Sequence, residues 1–285
     1  MRLGVTIFAT DRTMSPVELA REAEDRGFAS LFLPEHTHIP VSRESPPPTG
    51  VDVLPEDYAR TLDPLVALSA AAAVTSTIRL GTGVCLPAQR EPIVTAKAIA
   101  TLDRVSGGRF VLGIGFGWNR EEMADHGVDP ATRRARAREH VLAMRALWRE
   151  DVAGYRGEFV RFAPSWSWPK PAPGPPVLIG GAPGATLFRH VAEYADGWLP
   201  IGGSGVRDAL PALHRAAEAA GRDPATLTVI PFGVEPTPAK LDYYAGLGLG
   251  EVVLRVPAGP RDEVLPVLDA YTAYLPEGSP RHARA

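Results

Sequence analysis

The sequence predicts an α/β fold, a (β/α)8 TIM barrel with insertions after strands two and four, and three observations carry the prediction. Short runs rich in Val, Ile and Leu alternate with helical-period segments eight times between Leu3 and Tyr274. The two best-defined runs, residues 78–86 and 109–114, lack polar alternation, as do parallel strands covered on both faces. The turn after the first run, Phe8-Ala9-Thr10-Asp11, holds no glycine, and Gly113, Gly115 and Gly117 miss the Gly-x-Gly-x-x-Gly spacing, which argues against a doubly wound dinucleotide fold. With 285 residues, 45% of them apolar, the chain can bury one large core and is read as one domain over residues 1–285.

Residues 3–8 read as the first strand. Ser15, Pro16 and Glu18 supply an N-cap, a first-turn proline and an acidic first turn for a helix that reaches Arg26 and stops at Gly27. Residues 30–34 form the second strand. Over residues 37–62 no periodicity appears, and Pro46-Pro47-Pro48 forbids regular structure. A compact domain seldom keeps more than about 15 structureless residues without a use, so this stretch is read as a lid or substrate loop. Asp63-Pro64 opens a helix to Ser76. Strand 78–86, helix 91–105 with its stop at Gly107-Gly108, and strand 109–114 make a strand-helix-strand unit. The helix at 132–148 turns Val141, Met144, Leu147 and Trp148 inward and presents Arg133, Arg134, Arg136 and Arg138 as a solvated face. Residues 152–176 interrupt the series as a Pro- and Trp-rich insertion whose Trp166 and Trp168 read as packing residues of a strap or, alternatively, as an aromatic wall beside a planar ligand. Strands at 177–179, 196–200, 227–234 and 251–256 then alternate with helices at 183–195, 206–220, 238–247 and 261–274.

Composition narrows the function. A net charge of -3 with both signs interspersed favours neither a nucleic-acid groove nor an anionic membrane as partner. No run approaches the roughly 18 apolar residues of a membrane span. The N-terminal apolar run is too short for a signal peptide, and the single cysteine, Cys85, can form no internal disulfide, so a cytoplasmic setting is expected.

In such a barrel the C-terminal strand ends and their loops form the active face. The sequence places there Phe8, Thr10, Glu35, His36, Trp118, Trp198, Phe232, Glu235 and Arg255. It adds Gly83, Val84, Leu86, Gly115, Phe116, Gly117, Asn119, Gly180, Gly181 and Ala182, read as a cofactor wall. The glycine turns let backbone approach a flat or anionic group without Cβ interference, and the rim suits a large planar cofactor better than a polar substrate. His36 is the proton-transfer candidate, because imidazole titrates near neutral pH and Glu35 beside it can orient it. His36-x-His38 also has metal-ligand spacing, but strand ends five and six offer Gly180-Gly181 and Trp198-Leu199 rather than further ligands, so no metal is expected. His126, His140, His190, His214 and His282 fall in helices or the tail and take no role. The lysines, Lys97, Lys170 and Lys240, miss the strand ends, which argues against Schiff-base chemistry. Gly180-Gly181-Ala182-Pro183-Gly184 leads into a helix whose free amides could hold a phosphate.

These residues resemble the bacterial luciferase-like monooxygenases and, within them, the deazaflavin (coenzyme F420)-dependent oxidoreductases. The resemblance lies in Glu35-His36, Leu80-Gly-Thr-Gly-Val84, Ala100 to Phe110, Leu112 to Trp118, Ile179-Gly-Gly181 and Ala195-Asp-Gly-Trp198, in that order. It implies a (β/α)8 barrel, usually a homodimer, with a non-prolyl cis peptide at Gly83-Val84 behind the cofactor ring, His36 near that ring and Gly180, Gly181 and Ala182 at its phosphate. One departure stands out: a glutamate that donates a proton in the sugar-phosphate dehydrogenase branch corresponds to Trp118, which argues against that activity. The expectation is an oxidoreductase that moves a hydride between F420 and a small organic substrate, with His36 as proton carrier, Glu35 as its orienter and residues 37–62 as lid. The alternatives are an FMN-dependent monooxygenase of the same fold, a metal-dependent hydrolase and a cofactor-binding protein without catalysis.

Overall fold

In the computed structural model, which describes residues 1–47, 50 and 53–276, the apolar runs close into a ring of parallel strands. Around it run β1 (Arg2–Thr6), β2 (Ser30–Leu33), β3 (Arg79–Thr82), β4 (Phe110–Ile114), β7 (Val177–Gly180), β8 (Gly197–Leu199), β9 (Thr228–Val229), β10 (Phe232–Val234) and β11 (Glu251–Arg255), and β11 returns to β1. The seventh barrel strand is the one that departs from a single run: Ile230-Pro231 divides it into β9, paired with β8, and β10, paired with β11. Proline lacks the donor a continuous ladder needs. The ring stays closed there because Ile230 donates to the Trp198 carbonyl and Val253 to that of Pro231.

Inside the ring Phe32, Val111, Leu178, Leu199, Ile230, Phe232 and Val253 pack together, with Val84 over them. A second, larger apolar layer lies between the sheet and the helices. Its helices start and stop where local chemistry dictates. Prolines open α1 (Pro16–Arg26), α2 (Pro64–Ala72) and α3 (Pro92–Ser106), Asp63 and Glu91 cap the latter two, and Gly27 and Gly107 close α1 and α3 in the left-handed conformation. No helix among the described residues is long and apolar enough to cross a membrane.

Two long excursions leave the ring. The first, after β2, contains a 3-10 turn at Glu56–Arg60, and is fastened to the segment after β1 by Leu62 N–H on the Ala9 carbonyl, by Arg60 on Asp11 and by Arg12 on Glu56. The part of this loop at residues 48, 49, 51 and 52, Pro48 among them, lies outside the described residues, as does His282. After β4 come α4 (Arg120–Asp125), α5 (Arg133–Arg149) and a segment that is more ordered than its composition suggests. It forms an antiparallel hairpin, β5 (Ala153–Arg156) with β6 (Arg161–Ser165), because the Glu139 carboxylate of α5 accepts from the amides of Glu158, Phe159 and Val160 in its turn. The proline strap that follows holds cis peptides at Trp168-Pro169 and Ala172-Pro173. Trp166 and Trp168 lie exposed on it rather than packed.

Candidate active site

The site is built around the end of β3. The peptide Gly83-Val84 is cis, at the position the resemblance implied. Val84 after it lies between β4 and β7, in space that only glycine leaves free. A Cβ on Gly115 would sit 2.5 Å from Val84 Cγ2, one on Gly180 2.7 Å from Val84 Cγ1, and one on Gly83 2.2 Å from the Phe232 ring. Pairing resumes at once, since Cys85 donates to Gly113 and accepts from Gly115.

His36 stands just past β2. Its Nδ1 is 2.9 Å from Glu122 Oε2, and both side chains are buried. The other oxygen of Glu122 accepts from the Thr37 amide at 3.1 Å. A carboxylate at Nδ1 keeps the proton on that nitrogen in the neutral ring, so Nε2, which bonds to no described residue, is left to face the cavity. Glu122 is itself positioned by Asn119, whose Oδ1 accepts from the amides of Glu121 and Glu122 at the start of α4. The chain after His36 then lies along α4: Thr37 Oγ1 is 2.7 Å from His126 Nε2, His38 Nε2 is 2.9 Å from Asp125, and Glu121 accepts from the amides of Glu44 and Ser45. Tyr58 and Trp118 stand with ring centroids 5.2 and 5.8 Å from the imidazole, and Phe8 packs on Tyr58.

Glu35, expected to orient His36, points elsewhere. Consecutive residues at a strand end turn to opposite sides, so neighbours in sequence do not share a partner. Glu35 instead accepts from the Leu86 amide at 2.7 Å and from Arg90, which also pairs with Asp63. His36 and His38 diverge to different carboxylates, and among the described residues no group of three or more His, Cys, Asp or Glu side chains could hold a metal ion.

A cavity of about 860 Å3 opens over Val84. It is lined by Gly83, Val84, Leu86, Gly115, Phe116, Gly117, Gly180, Gly181 and Ala182, with Glu35 and His36. Asn119 of the expected cofactor wall is not among the lining residues; it is fully buried behind it as the α4 cap. Trp198 is also buried, holding the Gly181 carbonyl through its indole N–H. The lining further holds Tyr58, Asp57 and Arg255. Its wall also includes Leu187 of α6 (Ala185–Tyr194) and two arginines that charge patterning had placed in solvent. Arg134 lies 4.3 Å over the Phe116 ring with one nitrogen buried and unpartnered, and Arg133 is beside it in the cavity wall. Burial, and then the charge of Arg133, hold the Arg134 pKa below the usual arginine range. Sequence reasoning thus missed Glu122, Tyr58, Arg133 and Arg134. A signal existed for Glu122 in Asn119 followed by Glu121-Glu122, an N-cap with an acidic first turn, and for the arginines in a helix that opens without any acidic residue.

The luciferase-like monooxygenase family model matches residues 5–238 of the chain. An uncharacterized protein of Mycobacterium tuberculosis is 46% identical over 279 residues, covering 96% of this chain and 99% of its own. The F420-dependent glucose-6-phosphate dehydrogenase of Kineococcus radiotolerans is 32% identical over 213 residues, 72% of this chain and 58% of its own. Among solved structures, an F420-dependent secondary alcohol dehydrogenase in complex with an F420-acetone adduct superposes with a TM-score of 0.77 at 19% identity, over 97% of this chain and 99% of its own. Barrel and family match agree, and the chain belongs to the luciferase-like monooxygenase family and is an oxidoreductase.

Proposed function

We propose that the protein moves a hydride between F420 and a small organic substrate, with His36 giving or taking the accompanying proton. The observation that carries this reading is the buried His36–Glu122 pair beside a cavity whose floor is Val84. Relatives that use F420 support the choice of cofactor. The residues fit such a group. The missing side chains at Gly115 and Gly180 leave Val84 as a bed for a flat ring, and the Gly181-Ala182 turn with Arg133 and Arg134 in the same cavity suits an anionic side chain. When bound, F420 would supply the hydride chemistry. The chain would supply the rest: Glu122 accepts from Nδ1 and stabilises the charged imidazole, Nε2 exchanges the proton with substrate, and Phe8, Tyr58 and Trp118 exclude water around it. Glu35 in this reading is a positioning residue through Leu86 and Arg90.

The working form in this reading is a homodimer in the cytoplasm. The homodimer is supported by α2, which carries no charge along Pro64–Ala72 yet exposes Val66, and by Val94 and Val105 exposed on neighbouring α3. An apolar face of that kind is usually covered.

Titration of the purified protein with F420 and, separately, FMN, following quenching of cofactor fluorescence, tests the cofactor. Selective F420 binding is expected; selective FMN binding would replace the reading with an oxygen-using flavoenzyme, and binding of neither would remove it.

A further inference from the structure

Beside the barrel-mouth cavity lies a second one, of about 390 Å3, walled by the 3-10 turn at Pro87–Gln89, the start of α3, the first half of α5 and the turn of the β5–β6 hairpin. Gln89 stands between the two, its amide 3.3 Å from where a Cβ on Gly117 of the mouth cavity would sit. Several polar groups of this second wall lack partners. Arg136, expected on a solvated face, stands 5.0 Å over the Phe159 ring, and its Nε is buried without a hydrogen bond. Neither Arg136 nor Arg161 of β6 pairs with a described carboxylate, whereas Arg138 and Arg145 of the same α5 pair with Glu193 and Asp196. Gln89 is 9% exposed, and its Oε1 accepts from no described residue. His140 is buried and gives its Nδ1 proton to the Pro87 carbonyl at 2.7 Å, so Nε2 of the neutral ring is an acceptor to which no described residue donates. Burial, against the pull of the Pro87 carbonyl and with the help of the Arg136 charge, holds the His140 pKa below its ordinary 6.5. The other charged groups of the wall are engaged: Arg90 by Glu35 and Asp63, and Glu91 as the α3 cap on the Val94 amide. Buried polar atoms are rarely left unmet, and a cavity that gathers them fits a ligand that completes their bonds.

We propose that this cavity is a second binding site, for a small organic carboxylate that also carries a hydroxyl or ammonium donor. Arg136 and Arg161 match the carboxylate, since each guanidinium presents a planar fork of donors to its oxygens. Gln89 Oε1 and His140 Nε2 can only accept, so they match the donor. An ion made of acceptors alone, such as sulfate, would satisfy the arginines and leave both acceptors unmet, with the Glu91 carboxylate against it. The proposal does not depend on which cofactor the barrel holds.

Lactate, alanine and propionate test it, since they share size and carboxylate and carry in turn a hydroxyl, an ammonium and no donor. In saturation-transfer NMR titrations of the wild-type protein, lactate or alanine binds at least about fivefold more tightly than propionate, and the better of the two tells hydroxyl from ammonium. Arg136→Gln and Arg161→Gln each weaken that better probe by about tenfold. Gln89→Leu brings it to within about twofold of propionate and leaves propionate itself unchanged. His36→Ala leaves all three within about twofold of wild type, which separates this site from the barrel mouth. Binding of none of the three, equal binding of all three, or no loss in Arg161→Gln overturns the proposal; Arg161 is exposed, so that variant keeps the fold and decides the matter even where a buried substitution does not. A comparable loss in His36→Ala would put the probe in the barrel mouth and overturns it too.

Discussion

His36 and Glu122 form one unit, because the carboxylate decides which imidazole nitrogen carries the proton. His36→Ala should lower kcat by about 100-fold or more while F420 affinity stays within a few-fold, measured by steady-state turnover beside titration. Glu122→Gln tests the carboxylate separately. Its amide can donate to Nδ1, which puts the ring proton on Nε2 and reverses what that nitrogen offers, so kcat should fall by about tenfold or more with the thermal midpoint little changed. His36 was legible because a strand end names its own neighbourhood. Glu122 was not, since it lies 86 residues away and reaches His36 only through the placement of α4. A second carboxylate, Glu24, serves stability alone. Burial by itself would raise its pKa, but the amides of Ile78, Thr77 and Ser76 and the Thr77 hydroxyl hold it below its ordinary 4.5. A depressed carboxylate stabilises fully above its unfolded value and loses that contribution as pH falls through the folded one. Glu24→Gln should therefore cost about 1–3 kcal/mol at neutral pH, and the difference from wild type should shrink in thermal melts as pH drops below about 4.

At the scale of elements, α4 is six residues long and depends on its cap. Asn119→Ala should lower stability by about 1 kcal/mol and also lower turnover, because Glu122 loses its anchor; a melt and a rate on the same sample separate the two effects. Gly115→Ala would drive a methyl group into Val84 and should weaken ring binding without weakening the fold as much, read by titration against thermal midpoint. The eight barrel strands were legible from apolar runs and glycine stops, since a strand buried on both faces leaves a continuous signature. The break at Pro231 follows from the missing proline donor, a detail that periodicity does not carry. The β5–β6 hairpin was hidden because its turn amides are satisfied by Glu139, a residue of another element. Arg133 and Arg134 were assigned to solvent because charge patterning alone does not tell a wet helix face from a cavity wall.

For the whole molecule, the ring gathers every site residue at one rim, whereas the apolar faces of α2 and α3 lie on its flank. Val66 is 72% exposed and Val94 67% exposed, in a layer where neighbouring helix faces are buried. Sedimentation should give a dimer for the wild type and a monomer for a Val66→Glu, Val94→Glu double variant; a monomeric wild type would end the homodimer reading.

Glu35 carries one more consequence. It stands two residues past β2, next to His36, and its carboxylate grips the backbone at Leu86, two residues beyond Val84. In the proposed reaction, imidazole and ring bed would thus be two jaws of one caliper, set to a fixed opening by a carboxylate held on Leu86 and Arg90. Such an instrument is judged by its calibration: a slightly wrong opening leaves both jaws intact and every ligand bound, yet the atoms that must meet no longer meet on time.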